Sequence, residues 1–489
     1  MSLTAALTSA RNSLSVRSAE TDIVSRNVAG VNEAGYSLKR ANVAADQTSG
    51  VRLLSVTRAT DTALFQSMVR ASSDAAAGSA LLSGVEALQQ TVDPAFGDST
   101  PTGRLGALVD ALTQAAAAPS DQSLAQNAVD KAQDLVRTLQ DAAATIQQAR
   151  KTADADISAS VSNINSLLQQ FQALNARVVG NTAVGRDATA DLDARDKVLS
   201  LLSQEIGIRT SVRQNNDVQI YTDGGGTLFD TSMREVTFKP TTTFDANTIG
   251  NAVMIDGLPA IGPDAVMGVK SGRVFGLAQM RDSIAPSYQG QLDEIARGLI
   301  AAYSETNAAG EPASAAAGLF RDGASIVIPA DLSPGLAARL SVAASVDRKQ
   351  GGNSFLLRDG GISNPADPAY KLNATGAASF SDRLRALSIA NENMQAFASS
   401  GGAITAGSLS LYASSSTGWI EGQRQFASTE AEQKSAFLDR VTQALSSATG
   451  VSLDTEMSKM LDLERAYQGS AKLISVVDSM IQSLLQAAG

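Results

Sequence analysis

Asp187, Asp191, Asp193 and Asp196 bring four carboxylates into ten residues and are the first place to look for a metal. A calcium-binding loop needs a central glycine for its sharp turn and a bidentate acid at its end. This stretch has Ala and Arg at those positions, so it reads as a solvated helix face. Asp223-Gly224-Gly225-Gly226 could cradle a phosphate if a strand led in and a helix carrying Lys-Ser or Lys-Thr led out. Leu228-Phe229 begins no helical pattern, and the glycines read as a turn between strands. Glu20 with Asp22, and Asp154 with Asp156, are close enough for acid–base work but read as exposed acids. A hydrolase in the outer part of the chain would have to use an unmatched pair such as Asp256 and Asp264, which no motif surrounds.

The chain contains no histidine and no cysteine. That removes the usual nucleophile–base pairs, HExxH zinc sites, thiolate ligands and disulfides. A net charge of -10 and the lack of Lys/Arg clusters argue against nucleic acid as a partner. No window approaches eighteen consecutive apolar residues, and MSLTAALTSARNSLS has no basic segment ahead of an apolar run. Neither a membrane span nor a cleavable signal peptide is therefore expected.

With little chemistry to place, the elements carry the information. Leu3, Leu7, Ala10 and Leu14 recur at three- and four-residue spacing, and the register continues through Arg17, Thr21, Val24, Val28 and Val31 toward a stop at Gly35. At the other end Leu453, Met457, Met460, Tyr467, Ala471, Ile474, Ile481 and Leu485 repeat the pattern. Pairing the two stripes folds the chain back on itself and leaves the middle as an inserted body.

Within that body, residues 37–60 read as extended around Val51, Leu53 and Val56, and a helix is expected over 60–91, broken around Pro94, Gly97, Pro101 and Gly103. Further helices are expected over 104–117, 120–179, capped by Ser120 or Asp121, and 188–205. From Gly207 short alternating runs predict hairpins, with helix returning at 272–306 and Ile326-Val327-Ile328 as the clearest later strand. Residues 379–397 and 404–448 read as helix leading into Gly450. Aromatics are only 4% of the chain, so the helices must pack thinly on small side chains.

Three stretches resemble the axial proteins of the bacterial flagellum. Ser25-Arg26-Asn27-Val28-Ala29-Gly30-Val31-Asn32-Glu33-Ala34-Gly35-Tyr36-Ser37 is similar to that family's amino-terminal motif, with Glu33 and Ala34 where the family usually has Thr and Pro. Gly450–Met457 and Leu463–Asp478 resemble its carboxy-terminal helix. Arg281-Asp282-Ser283-Ile284-Ala285-Pro286, followed by Leu292-Asp293-Glu294-Ile295-Ala296, is similar to an internal motif of the members that join hook to filament.

The resulting expectation is a mainly α, discontinuous multi-domain rod with smaller β-rich insertions. Residues 1–35 and 450–489 would form a terminal coiled coil. Residues 36–205 with 379–449 would form a helical rod, and 206–378 an outer β-containing region with the helix of 272–306 embedded in it. The resemblance implies a structural protein with no cofactor, metal or catalytic residue, homo-polymerising as a layer between hook and filament outside the cell. Its implied partners are copies of itself, the hook protein, a second hook-associated junction protein or the flagellin side, and a type III export chaperone binding near the C-terminus. The assembly surface is expected on Leu3, Leu7, Leu14, Val24, Asn27, Val28, Val31, Gly35 and Tyr36, and on Leu453, Met457, Met460, Tyr467, Ile474, Ile481 and Leu485. The alternatives are a hook or rod protein, or a surface adhesin or hydrolase exported by the same route.

Overall fold

The computed structural model describes residues 3–488 apart from 34, 47–49, 93–99, 263 and 399–401. Helix α1 (Leu3–Gly30) runs into a hairpin of β1 (Lys39–Asp46) and β2 (Gly50–Arg58), where the sequence indicated one extended segment. The helical body follows as α2 (Thr62–Gln89), α3 (Pro101–Ala117), α4 (Gln122–Ala183) and α5 (Thr189–Glu205). The anticipated Pro94 and Gly97 break lies outside the described residues.

Three of the body helices, α2, α3 and α4, begin where a side chain at the N-cap satisfies a free N–H group. Asp61 accepts from Leu64 N, Thr100 from Gly103 N, and Asp121 from Ser123 N. From that cap α4 continues unbroken for 62 residues, about 90 Å at 1.5 Å per residue. Its buried stripe alternates large and small side chains, Val129, Ala132, Leu135, Leu139, Ala142, Ile146, Ile157, Ile164, Leu168 and Phe171. The small members allow neighbouring helices to approach closely.

The outer region consists of two three-stranded antiparallel sheets, β3 (Ile208–Val212), β4 (Val218–Thr222) and β5 (Thr227–Phe229), then β6 (Val236–Thr237), β7 (Val253–Ile255) and β8 (Leu258–Ile261). Asp223-Gly224-Gly225-Gly226 is the turn joining β4 to β5, and the Asp223 carboxylate accepts from Lys270 N and the Ser271 hydroxyl. Helices α6 (Arg273–Gln279) and α7 (Ala285–Ala302) are fused through a π-helical turn at Met280–Ile284. Beyond them β9 (Phe320–Asp322) pairs with β10 (Leu340–Val342) around the short α8 (Leu336–Arg339), and α9 (Leu356–Asp359) follows.

The strand expected at Ile326–Ile328 does not form. Ile326 and Val327 are exposed, and the pairing went instead to Phe320–Asp322, where Phe320 is fully buried. Only α10 (Asp382–Ser388) and a 3-10 turn at Ala390–Glu392 stand where a helix was expected over 379–397, followed by the two-residue pair β11 (Gln395–Ala396) and β12 (Ala406–Gly407). Two long helices close the chain, α11 (Leu409–Thr449), packed along α2, and α12 (Leu453–Ala488), packed along α1. Among the described residues no helix is long and apolar enough to cross a membrane.

Asp154 departs from its expected exposure, being 2% exposed. Arg281 donates to it at 2.6 Å, to Asp282 at 2.7 and 2.8 Å and to Asn251 O at 2.9 Å, while Thr241 N donates at 2.8 Å. Arg150, also on α4, donates to Arg281 O, Asp245 O and Thr248 O. The Arg-Asp of the internal motif therefore clamps the loop between β6 and β7 to the long helix across the π-turn. Asp156, two residues on, stays at the surface 3.7 Å from Arg273.

Removing one member of a buried pair leaves the other charge uncompensated. Arg281→Ala is expected to cost about 3–5 kcal/mol on that basis. Arg281→Met combined with Asp154→Leu should cost less, a difference that guanidinium unfolding midpoints of the two variants will show.

Candidate assembly stem and its elbow

Helices α1 and α12 pair antiparallel, and two hydrogen bonds set the register. Ser13 meets Ser470 at 3.4 Å and Asn27 meets Glu456 at 2.8 Å, fourteen residues later on one helix and fourteen earlier on the other. That is two heptads of a coiled-coil seam. On α1 the seam passes through Ser13, Val16, Glu20, Ile23, Asn27 and Gly30, one position before the stripe of Leu14, Thr21 and Val28 that the sequence suggested. On α12 the most buried residues are Glu456, Leu463, Ser470 and Val477, each seven after the last.

Of the residues singled out from sequence, Val24 and Asn27 are buried and Leu7, Leu14, Val28, Val31 and Tyr36 are half-buried. Gly35 is exposed, and the side chain of Leu3 lies outside the described residues. On α12, Met460, Ile474 and Ile481 are half-buried, whereas Leu453, Met457, Tyr467 and Leu485 are exposed on the subunit. Sequence reasoning missed the column of Glu456, Leu463, Ser470 and Val477. Its signal is the strict seven-residue interval, obscured because two of its four members are polar.

The stem meets the body at a polar elbow centred on Asn27, which is 1% exposed. Its amide nitrogen donates to Lys39 O at 2.9 Å and to Glu456, and its amide oxygen accepts from Lys39 N at 3.0 Å and Tyr36 Oη at 3.1 Å. The Glu456 carboxylate is completed by Lys459 Nζ at 2.5 Å. Gly35 adopts φ +83°, which favours glycine, and so swings Tyr36 back over the end of α1. There the ring covers Gly30 so closely that an added Cβ would sit 2.5 Å from it. The Asn-Gly-Gly-Tyr pattern of the amino-terminal motif is thus the geometry of a corner.

Asp191, Asp193 and Asp196 are half-buried as the other half of this elbow rather than a solvated face, while Asp187 stays exposed. Lys39 Nζ lies 3.1 Å from Asp193 and 3.8 Å from the centroid of the Tyr36 ring. Arg58, paired with Lys39 across the base of the hairpin, reaches Asp193 at 2.9 Å and Asp196 at 2.5 Å. Arg177 holds Asp191 at 2.9 Å, and Arg26 reaches Asp187 at 3.3 Å. Burial pushes the Asp196 carboxyl up, and Arg58 beside it opposes the shift. Burial would raise Asp187 too, but hydrogen bonds from the Thr189 backbone and hydroxyl and from Arg26 outweigh it and hold Asp187 below the usual carboxylate range. The other sequence candidates are dispersed: Glu20 pairs with Arg17 and Asp22 with Arg26, Asp256 pairs with Arg234 at 3.3 Å, and Asp264 is exposed in the loop after β8.

Gly30→Ala should cost about 1–3 kcal/mol by overpacking against Tyr36. Faster proteolytic cleavage between α1 and the hairpin would report it, and adding the change to Tyr36→Ala should cost little more. A carboxyl whose folded value is depressed gives stability that is present above its unfolded value, about 3.9, and lost as pH falls through the folded one. The Arg26–Asp187 tie should therefore release only below about pH 3.9. Asp187→Asn should lose that part of the acid dependence of the Tm, while retaining the melting that other groups cause.

Residues 89–319 match the family model described as "Flagellar hook-associated protein FlgK helical domain". Residues 442–487 match the model described as "Flagellar basal body rod FlgEFG protein C-terminal". No curated protein matches the chain. Among solved structures, the chain is similar to the flagellar hook junction protein FlgK from Burkholderia pseudomallei at 19% identity and a TM-score of 0.42, over 52% of this chain and 46% of that one. The match thus takes in less than half of that protein's length. The first match runs from the end of α2 through α3–α5 and the outer sheets to the loop after α7, and the second covers the end of α11 and α12. Residues 89–319 are thus similar to the helical domain of the flagellar hook-associated proteins, and residues 442–487 to the carboxy-terminal segment of the flagellar rod proteins.

Proposed function

We propose that the chain is a structural subunit that polymerises as a layer between hook and filament, with the α1–α12 stem as its inner, subunit-buried part. The observation that carries this reading is the outer surface of α12. Leu453, Met457, Leu461, Leu473, Val476, Met480, Leu484 and Leu485 are all exposed on the isolated subunit. Burying a large apolar side chain contributes about 1.5–3 kcal/mol, so neighbours covering this helix would stabilise it substantially. The seam facing α1 is comparatively weak, with Ser13, Glu20, Asn27, Glu456 and Ser470 in it. In the free subunit the pair is held chiefly at its elbow end, and both termini gain order on polymerisation.

This reading divides the chain into a stem (1–35 with 450–489), a helical rod (36–205 with 379–449) and an outer region (206–378). The hook protein lies on one side of the layer, and a second hook-associated protein or the flagellin side on the other. A chain without cysteine and with a weakly packed stem suits passage, unfolded, through the type III channel to the outside of the cell. An export chaperone that covers the apolar face of α12 beforehand is consistent with that route.

Deleting 1–35 or 450–489 is expected to abolish incorporation into flagella and to leave hooks without filaments, as electron micrographs of the bacteria will reveal. Normal filaments on cells carrying either deletion would overturn the proposal. Limited proteolysis supplies the second measurement: the termini of the free subunit should be cut before the body, and those of the assembled subunit should resist. Equal resistance of termini and body in the free subunit would argue against ordering on assembly.

A further inference from the structure

The β1–β2 hairpin is a two-stranded ribbon packed on α1 and α5. Such a ribbon is marginal in water without a further surface to lie against, and both of its edges are unpaired. Its register places Arg40, Asn42 and Ala44 on one face with their partners Thr57, Ser55 and Arg52. Asn42 bonding the Ser55 and Thr57 hydroxyls agrees with that assignment. A bulge after Asn42 takes Leu54 out of the alternation and leaves it 53% exposed. Arg40 and Arg52 are exposed, and among the described residues no carboxylate pairs with either. This is a cationic surface with an apolar centre on a chain of net charge -10.

The complementary surface lies on α12. Leu453, Met457, Leu461 and Glu464 follow at spacings of four, four and three, along one flank away from the seam. Leu461 is 55% exposed, and Asp454 and Glu464 flank the apolar side chains with no cation against either among the described residues. The apolar stripe of the distal half, Leu473, Val476, Met480 and Leu484, lies on a different flank and lacks this pair of acids. The hairpin of the same chain is pinned at its base by Lys39 and Arg58 on Asp193 and Asp196, which commits it to α1 and α5.

We propose that the outer face of the hairpin docks on the proximal half of α12 in a second copy of this chain. Arg40 and Arg52 meet Asp454 and Glu464 around an apolar centre of Leu54 with Met457 and Leu461. Hairpin and acceptor face are different surfaces, so the contact is head-to-tail: each copy offers one of each, and repetition builds a ring or helix rather than a closed dimer. The inference rests on the polymerising role proposed above and identifies one contact by which it would occur.

Because the chain has no cysteine, Leu54→Cys and Leu461→Cys each introduce a unique thiol. In flagella assembled from a mixture of the two variants, mild oxidation should give a covalent dimer containing one of each, and neither variant alone should give it. Charge reversal provides an independent test. Arg40→Glu with Arg52→Glu should reduce the amount incorporated about tenfold, and adding Asp454→Lys with Glu464→Lys should restore it. Variants that incorporate normally yet give no mixed dimer overturn the inference and leave the junction role standing. So does a charge-reversed chain that incorporates normally, or one that the compensating changes fail to rescue. Failure of the unaltered chain to appear in flagella would refute the junction role itself, and the inference with it.

Discussion

Every hydrogen-bonding position of the Asn27 side chain is in use: two N–H donors go to Lys39 O and Glu456, and two lone pairs receive Lys39 N and Tyr36 Oη. A primary amide offers no more than that. A buried amide left short of partners loses about 1–3 kcal/mol for each unmet group. One residue thereby fixes where α1 stops, where the hairpin begins and which turn of α12 lies opposite. The heptads then count outward from that point to Ser13 and Ser470 without a second strong constraint.

The helical body solves a different problem, namely how to be long with few large side chains. Alanines in the buried stripe of α4 bring helix axes together, so that contact area comes from backbone proximity rather than from bulk. A surface this smooth discriminates poorly between registers. Polar ties supply the discrimination, Arg150 and Arg281 at the π-turn and Lys39 and Arg58 at the elbow, each connecting segments distant in sequence. Buried ions serve here to specify position, a role for which their net contribution to stability is a poor measure.

How much of this was legible in the residues varied with the source of the signal. Long helices and their caps came through, because periodicity and Asp121 are local facts. The Asp223 turn was equally plain, since glycines without a following helix or lysine admit little else. The seam was misplaced by one residue on α1 because Leu14 and Val28 looked more like interface than Ser13 and Asn27 do, and the polar pair proved the more deeply placed at Asn27. Asp154, Asp193 and Asp196 were misread as wet because their cations come from residues up to 154 positions away in sequence, a proximity no window can see. Ile326–Ile328 had the composition of a strand but no neighbour to pair with.

The bond between Ser13 and Ser470 spans 457 positions of chain. Closing so wide a loop carries a substantial entropic penalty and slows formation of whatever depends on it. A ribosome delivers α1 before α12, so the earlier segment stays without its mate until the whole body between them has been made. A chain cut short by premature termination can still build much of its middle, yet it can never present a stem. The antiparallel closure therefore acts as a length check, since only a chain that reaches α12 can complete the stem.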